Sequence, residues 1–162
     1  MLLERNDVKA DHIDKYGQTP LLKAAGKGYE GIVKMLLERG DVNLNTANNY
    51  GEIPLSTAAY EGHEGVVKML LERNDVNADH MNEDGQTPLF KAARGGYEGI
   101  VKMLLERGDV NPNTADNCGE TALSQALQYS FHDIAKLLSA HKILIPPSGG
   151  DDEFTPLHSP EI

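Results

Sequence analysis

The stretch Thr19-Pro20-Leu21-Leu22-Lys23-Ala24-Ala25 returns as Ile53-Pro54-Leu55-Ser56-Thr57-Ala58-Ala59 and again as Thr87-Pro88-Leu89-Phe90-Lys91-Ala92-Ala93. A looser copy is Thr121-Ala122-Leu123-Ser124-Gln125-Ala126-Leu127, and a fragment is Thr155-Pro156-Leu157-His158. The copies begin at 19, 53, 87, 121 and 155, so every step is 34 residues. Such a period means supersecondary units that cannot bury an apolar face alone and gain a core by stacking. The chain's 162 residues therefore predict a solenoid rather than one central core.

Within a unit, Gly17 gives the backbone the freedom a tight turn needs after the polar connector 7–16. Thr19 suits an N-cap, and Pro20 suits the first helical position, where a missing N–H costs nothing. Leu21, Ala24 and Ala25 follow at helical spacing, and the helix stops before Gly28. A second helix is predicted over 29–39, with Ile32, Val33, Leu36 and Leu37 on one broad buried face. Met35 on that helix reads as core or edge packing.

The second unit repeats this plan with Gly51, a helix over 54–60, Gly62 and a helix around Val66, Val67, Leu70 and Leu71. The third uses Gly85, Pro88, Gly96, Ile100, Val101, Leu104 and Leu105. In the fourth, Ala122 replaces Pro, Leu127 replaces the second Ala, and Ser130 replaces the inter-helix Gly; its second helix is predicted near 131–141. A terminal unit, one face of which meets water, is expected to be atypical. The unit boundaries so read are 7–40, 41–74, 75–108 and 109–142. Residues 1–6 copy Met69-Leu70-Leu71-Glu72-Arg73-Asn74 and read as the end of an earlier helix, as in a fragment excised from a longer array. Residues 143–162 keep the register, with Leu144 at the place of Val110, and read as a decayed fifth unit or an extended strap against the fourth.

The segments Asp14-Lys15-Tyr16-Gly17-Gln18-Thr19-Pro20-Leu21, Ala24-Ala25, Gly28-Tyr29-Glu30-Gly31-Ile32-Val33, Leu36-Leu37 and Asp41-Val42-Asn43 together resemble the ankyrin repeat. There are two departures. The step is one residue longer than that family's usual one of about 33. The family's His after Thr-Pro-Leu is Leu22, Ser56, Phe90 and Ser124 here, which implies loss of its usual local hydrogen bond. The resemblance implies an all-α solenoid of helix–turn–helix units, with a hairpin-like finger projecting from each junction. It also implies that a protein partner binds the concave side, formed by finger tips and the exposed end of each first helix. Carried over, those positions are Lys15, Tyr16, Gln18 and Lys27, then Asn49, Tyr50, Glu52, Tyr60 and Glu61. The later units supply Glu83, Asp84, Gln86 and Arg94, then Asn117, Cys118, Glu120, Gln128 and Tyr129. Aromatic side chains there are hot-spot material.

A second pattern points the same way. Residues 5–52 and 73–120 are largely identical, a super-period of 68 residues. The pairs that differ include Lys15/Glu83, Tyr16/Asp84, Gly26/Arg94, Lys27/Gly95 and Tyr50/Cys118, all at or beside the proposed binding positions. Diversification for recognition and neutral drift on a solvated surface both produce this pattern.

The residues argue against other chemistries. A net charge of −10 is poor for phosphate binding, so no nucleic-acid partner is expected, and it is compatible with a basic protein partner. No apolar run reaches the roughly 18 residues of a membrane helix, so no membrane partner is expected, and the start does not read as a secretory signal. His12 and His80 stand two units apart, too far to share a metal, and Asn82-Glu83-Asp84-Gly85 lacks the ligand pattern of a calcium loop; no metal and no cofactor are expected. Cys118 is the single cysteine, which points to a reducing compartment, cytoplasm or nucleus, and nothing nearby would activate its thiol. Glu30, Glu64 and Glu98 recur in every unit and read as scaffold. The reading is a non-catalytic protein–protein recognition module, part of a larger multidomain protein. The alternatives are a stand-alone ankyrin protein that inhibits an enzyme or transcription factor by covering it, and the targeting arm of an enzyme whose catalytic domain lies elsewhere.

Overall fold

In the computed structural model, which describes residues 10–144, each copy of the repeated motif opens a short helix. These first helices are α1 (Pro20–Gly26), α3 (Pro54–Glu61), α5 (Pro88–Gly95) and α7 (Ala122–Gln128). Each is followed by a second helix: α2 (Glu30–Arg39), α4 (Glu64–Leu71), α6 (Glu98–Leu105) and α8 (His132–Leu144). No strand is present among the described residues, only an isolated bridge between Ala115 and Thr121. Residues 1–6, read as the end of an earlier helix, and the chain beyond 144 lie outside the described residues.

The caps explain the starts. The hydroxyl oxygens of Thr19, Thr87 and Thr121 accept the N–H groups of Leu22, Phe90 and Ser124 at 3.1, 3.2 and 3.2 Å. Each satisfies one of the donors a helix leaves unpaired at its first turn. Where Ile53 takes the Thr position, the Ser56 hydroxyl works in reverse, accepting the Ile53 N–H at 2.9 Å and donating to the Ile53 carbonyl. Ser124 accepts the Thr121 N–H in the same way. The expected loss of a local hydrogen bond is thus corrected at two of the four positions, because a serine hydroxyl supplies one.

The first helices pack side by side as one layer, the second helices as another, and each pair closes on itself. Ala24, Ala25, Ala58, Ala59, Ala92 and Ala93 are buried, so the first helices approach closely. Leu36, Leu70 and Leu104 are buried in the same core, at the seam between layers. Backbone φ is positive at Gly28, Gly62 and Gly96, which turn the chain between helices. The rings of His63, Tyr97 and Phe131 lie where a side chain at those glycines would have to go, so each unit's aromatic seals the previous turn. Ser130 takes the fourth of these turns at φ 61°, an uncommon conformation for a residue with a β-carbon. The Glu30 carboxylate lies over Gly65 and that of Glu64 over Gly99, which agrees with a scaffold role for the recurring glutamates.

Two expectations are corrected. Ile32 is 40% exposed, whereas its equivalents Val66 and Ile100 are fully buried, because each of those is covered by the preceding unit and Ile32 has no described unit before it. The last helix runs on through Leu144, past the predicted end near 141, and takes residues 143–144 from the stretch read as a strap. The earlier units carry Gly40-Asp41, Asn74-Asp75 and Gly108-Asp109 after their second helices, all poor helix formers, where this unit has Lys142-Ile143.

Polar side chains stitch neighbouring units. Arg73 Nη1 donates to the Leu37 carbonyl at 3.2 Å, and Arg107 Nη1 to those of Leu71 and Arg73 at 2.9 and 3.1 Å. These carbonyls lie at helix ends, where a cation is favourable. Asp41, Asp75 and Asp109 hold the arginines Arg39, Arg73 and Arg107, and each carboxyl is held below its ordinary range by hydrogen bonding to its arginine. In the connectors, Asp11 accepts the Asn43 N–H at 3.0 Å and Asn45 accepts the Asn77 N–H at 2.7 Å.

Asp79 takes the same role toward the Asn111 backbone, but burial pushes its carboxyl up, with a further push from the Asp109 charge. A raised folded-state value means that stability is greatest with the carboxyl protonated and falls as pH rises through that value. At neutral pH the Asp79 charge therefore opposes folding. Its other oxygen, Oδ1, is buried without a partner. Asp79→Asn keeps an acceptor for the Asn111 N–H and removes the charge. It is expected to raise Tm at pH 7 by about 2–4 °C, a gain that shrinks as the pH is lowered into the carboxylate range. Thermal scans of both proteins at neutral and acid pH check this.

Candidate functional site

The fingers are built from one repeated device. Asp14, Asn48, Asn82 and Asp116 each accept, through Oδ1, the backbone N–H two residues on and again four residues on, at 2.8–3.1 Å. A short polar side chain that closes its own turn explains why only Asp or Asn stands there. Gly51 has φ 73°, and a β-carbon on it would come within 2.8 Å of the Glu83 nitrogen, so consecutive fingers touch backbone to backbone. A relay joins them: the Asn49 N–H donates to the Tyr16 carbonyl at 3.1 Å, Glu83 to Tyr50 at 3.3 Å, and Asn117 to Asp84 at 2.9 Å. Consecutive finger tips are thereby held in register with one another.

One hollow lies between the fingers and the first helices, and another at the C-terminal ends of the first helices. The first, of about 400 Å³, brings together Gln18, Tyr50, Glu52, Tyr60, Glu83, Asp84 and Gln86 of the predicted positions. The other, of about 360 Å³, brings together Tyr60, Glu61, Arg94 and Tyr129. Gln18, Lys27 and Glu61 also border a wider hollow at the open end of the first unit, beside the exposed Ile32. Lys15, Tyr16, Asn49, Asn117, Glu120 and Gln128 are exposed but line none of these hollows. Cys118 is exposed at its finger.

Glu52 is the exception among the predicted contacts, because its side chain is only 15% exposed. It is ion-paired with Lys91, whose side chain is 8% exposed and was not foreseen as part of the site. The Lys91 ammonium lies 5.4 Å from the centre of the Tyr60 ring, and Asn82 Nδ2 donates to Glu52 Oε1 at 2.8 Å. Glu52 Oε2 is buried without a donor.

The sequence carried a signal for this pair. In the first unit, Lys23 bonds to Asp14 of its own finger at 2.8 Å and holds that carboxyl down to about 2, helped by the Gln18 amide. In the third unit Asn82 stands where Asp14 stood, so Lys91, equivalent to Lys23, finds no carboxylate at that position and pairs instead with Glu52 of the preceding finger. Among the histidines, His80 Nε2 bonds with the Gly51 carbonyl at 2.9 Å and His63 Nε2 with that of Gly26 at 3.3 Å, so both are engaged by backbone.

A two-layer helical solenoid with turn-built fingers and a hollowed flank between them defines a repeat-type scaffold. A family model of ankyrin repeats, in three copies, matches residues 1–80 and 74–148. The chain belongs to the ankyrin repeat family. No curated protein shows significant sequence similarity to it. Ankyrin repeats are generally protein–protein interaction modules, and the family is typically non-catalytic. No described helix is long and apolar enough to cross a membrane.

Proposed function

We propose that this chain is a non-catalytic recognition module that binds a protein partner along the flank formed by its fingers and first helices. The observation that carries this reading is the grouping of Tyr50, Tyr60 and Tyr129, which are 67, 55 and 44% exposed, around hollows on that one flank. Exposed aromatics on a rigid surface give contact area at little ordering cost. The finger relay and the buried alanine seam supply that rigidity. The lone exposed thiol of Cys118 supports work in a reducing compartment, cytoplasm or nucleus.

Affinity capture with the wild-type chain, compared with Tyr50→Ala/Tyr60→Ala, tests the reading. The double variant is expected to lose the captured protein by tenfold or more, as for hot-spot residues worth about 2 kcal/mol each. Lys68→Ala, on the exposed side of α4, is expected to retain it. Capture unchanged by the tyrosine changes would remove the proposed flank.

A further inference from the structure

The hollow between the second and third fingers is asymmetric in charge. Its lining holds the carboxylates of Glu52, Glu83 and Asp84 against the single ammonium of Lys91. That ammonium is already committed to Glu52 and faces the Tyr60 ring. The Glu83 and Asp84 side chains enter no ion pair or hydrogen bond among the described residues; only their backbone groups are used, in the finger relay. The Glu52 carboxylate is already engaged by Lys91 and Asn82, so the charge left open to the hollow is that of Glu83 and Asp84.

We infer that this hollow is an anchor for an arginine side chain of the partner protein, an assignment that rests on the flank proposed above. The chemistry selects a cation first, because three carboxylates oppose one ammonium. It selects guanidinium over ammonium next. The planar fork can donate to two carboxylates at once and lie against a phenol ring, whereas a lysine offers a point charge. Tyr50 and Tyr60, both more than half exposed, border the same hollow and supply those rings. The space, about 400 Å³, lies within the range of small-ligand sites. The neighbouring hollow has the opposite balance, with Lys91 and Arg94 against Glu61, so the arginine has one preferred side of Tyr60.

The test uses the full chain, labelled with nitrogen-15, and three probes: acetyl-Gly-Arg-Gly-amide, its citrulline analogue, and its lysine analogue. The arginine probe is expected to give saturable millimolar shifts at the amides of Tyr50, Asn82, Glu83 and Asp84. Citrulline, equal in shape but neutral, is expected to bind at least tenfold more weakly, and lysine severalfold more weakly. Glu83→Gln/Asp84→Asn, at two exposed positions, is expected to weaken the arginine probe by tenfold or more. No saturable shift, shifts elsewhere, or equal binding by citrulline would overturn the assignment. Those failures would leave the flank standing if Tyr50→Ala/Tyr60→Ala still abolishes capture. Capture indifferent to the tyrosines would fell the flank, whatever the arginine probe does.

Discussion

Glu52→Ala is expected to cost about 3–5 kcal/mol of stability, far more than a typical charge change near a surface. Surface ion pairs contribute little, but this one is largely desolvated: the lysine side chain is 8% exposed and the glutamate 15%. Removing the carboxylate strands an ammonium inside the first-helix layer and takes the acceptor from Asn82 Nδ2 as well. The second variant separates charge from shape. Glu52→Ala/Lys91→Met removes both charges and fills the same channel with an apolar stem, and is expected to recover most of the loss. Urea unfolding of the three proteins provides the measurement. A loss under 1 kcal/mol for the single change would show that Lys91 reaches water, and would deny the pair its place in the fold.

The other large effect lies in the second-helix layer and depends on position alone. Ile100 and Ile32 are equivalent residues, 68 apart, yet one is fully buried and the other 40% exposed. Ile100→Ala is expected to cost about 2–5 kcal/mol through lost burial and the cavity left behind. Ile32→Ala is expected to cost less than about 1 kcal/mol, since its surroundings lose little that was sealed from water. Denaturant midpoints of the two variants decide the matter, and equal losses would contradict the stacking order of the units.

Much of this molecule was legible from its period. Thr-Pro at 19 and 87 placed helix starts, and Gly40 placed the end of α2, because caps and left-handed turns are local chemistry. The hollowed flank was legible only through family resemblance, which put Tyr50, Tyr60, Glu83 and Asp84 on one side. What the repeat concealed were its differences in context. Ile32 reads as core from spacing, and only the presence or absence of a neighbour decides whether the same helix face is covered. Lys91 reads as a copy of Lys23, and its partner changes because Asn82 lost a charge in another segment. The run of α8 through Leu144 follows Lys142-Ile143, which stand where the earlier units carry poor helix formers, a difference the shared register concealed.

The finger relay makes the molecule a chain of links in series. One backbone amide bond passes from each finger to the next, and the helix layers likewise join neighbour to neighbour. Tension applied along the stack is therefore carried, among the described residues, by every junction in turn. Each unit that yields releases its 34 residues, about 110–120 Å of extended chain, while those behind it stay shut. A scaffold assembled this way behaves as a spring with discrete stops.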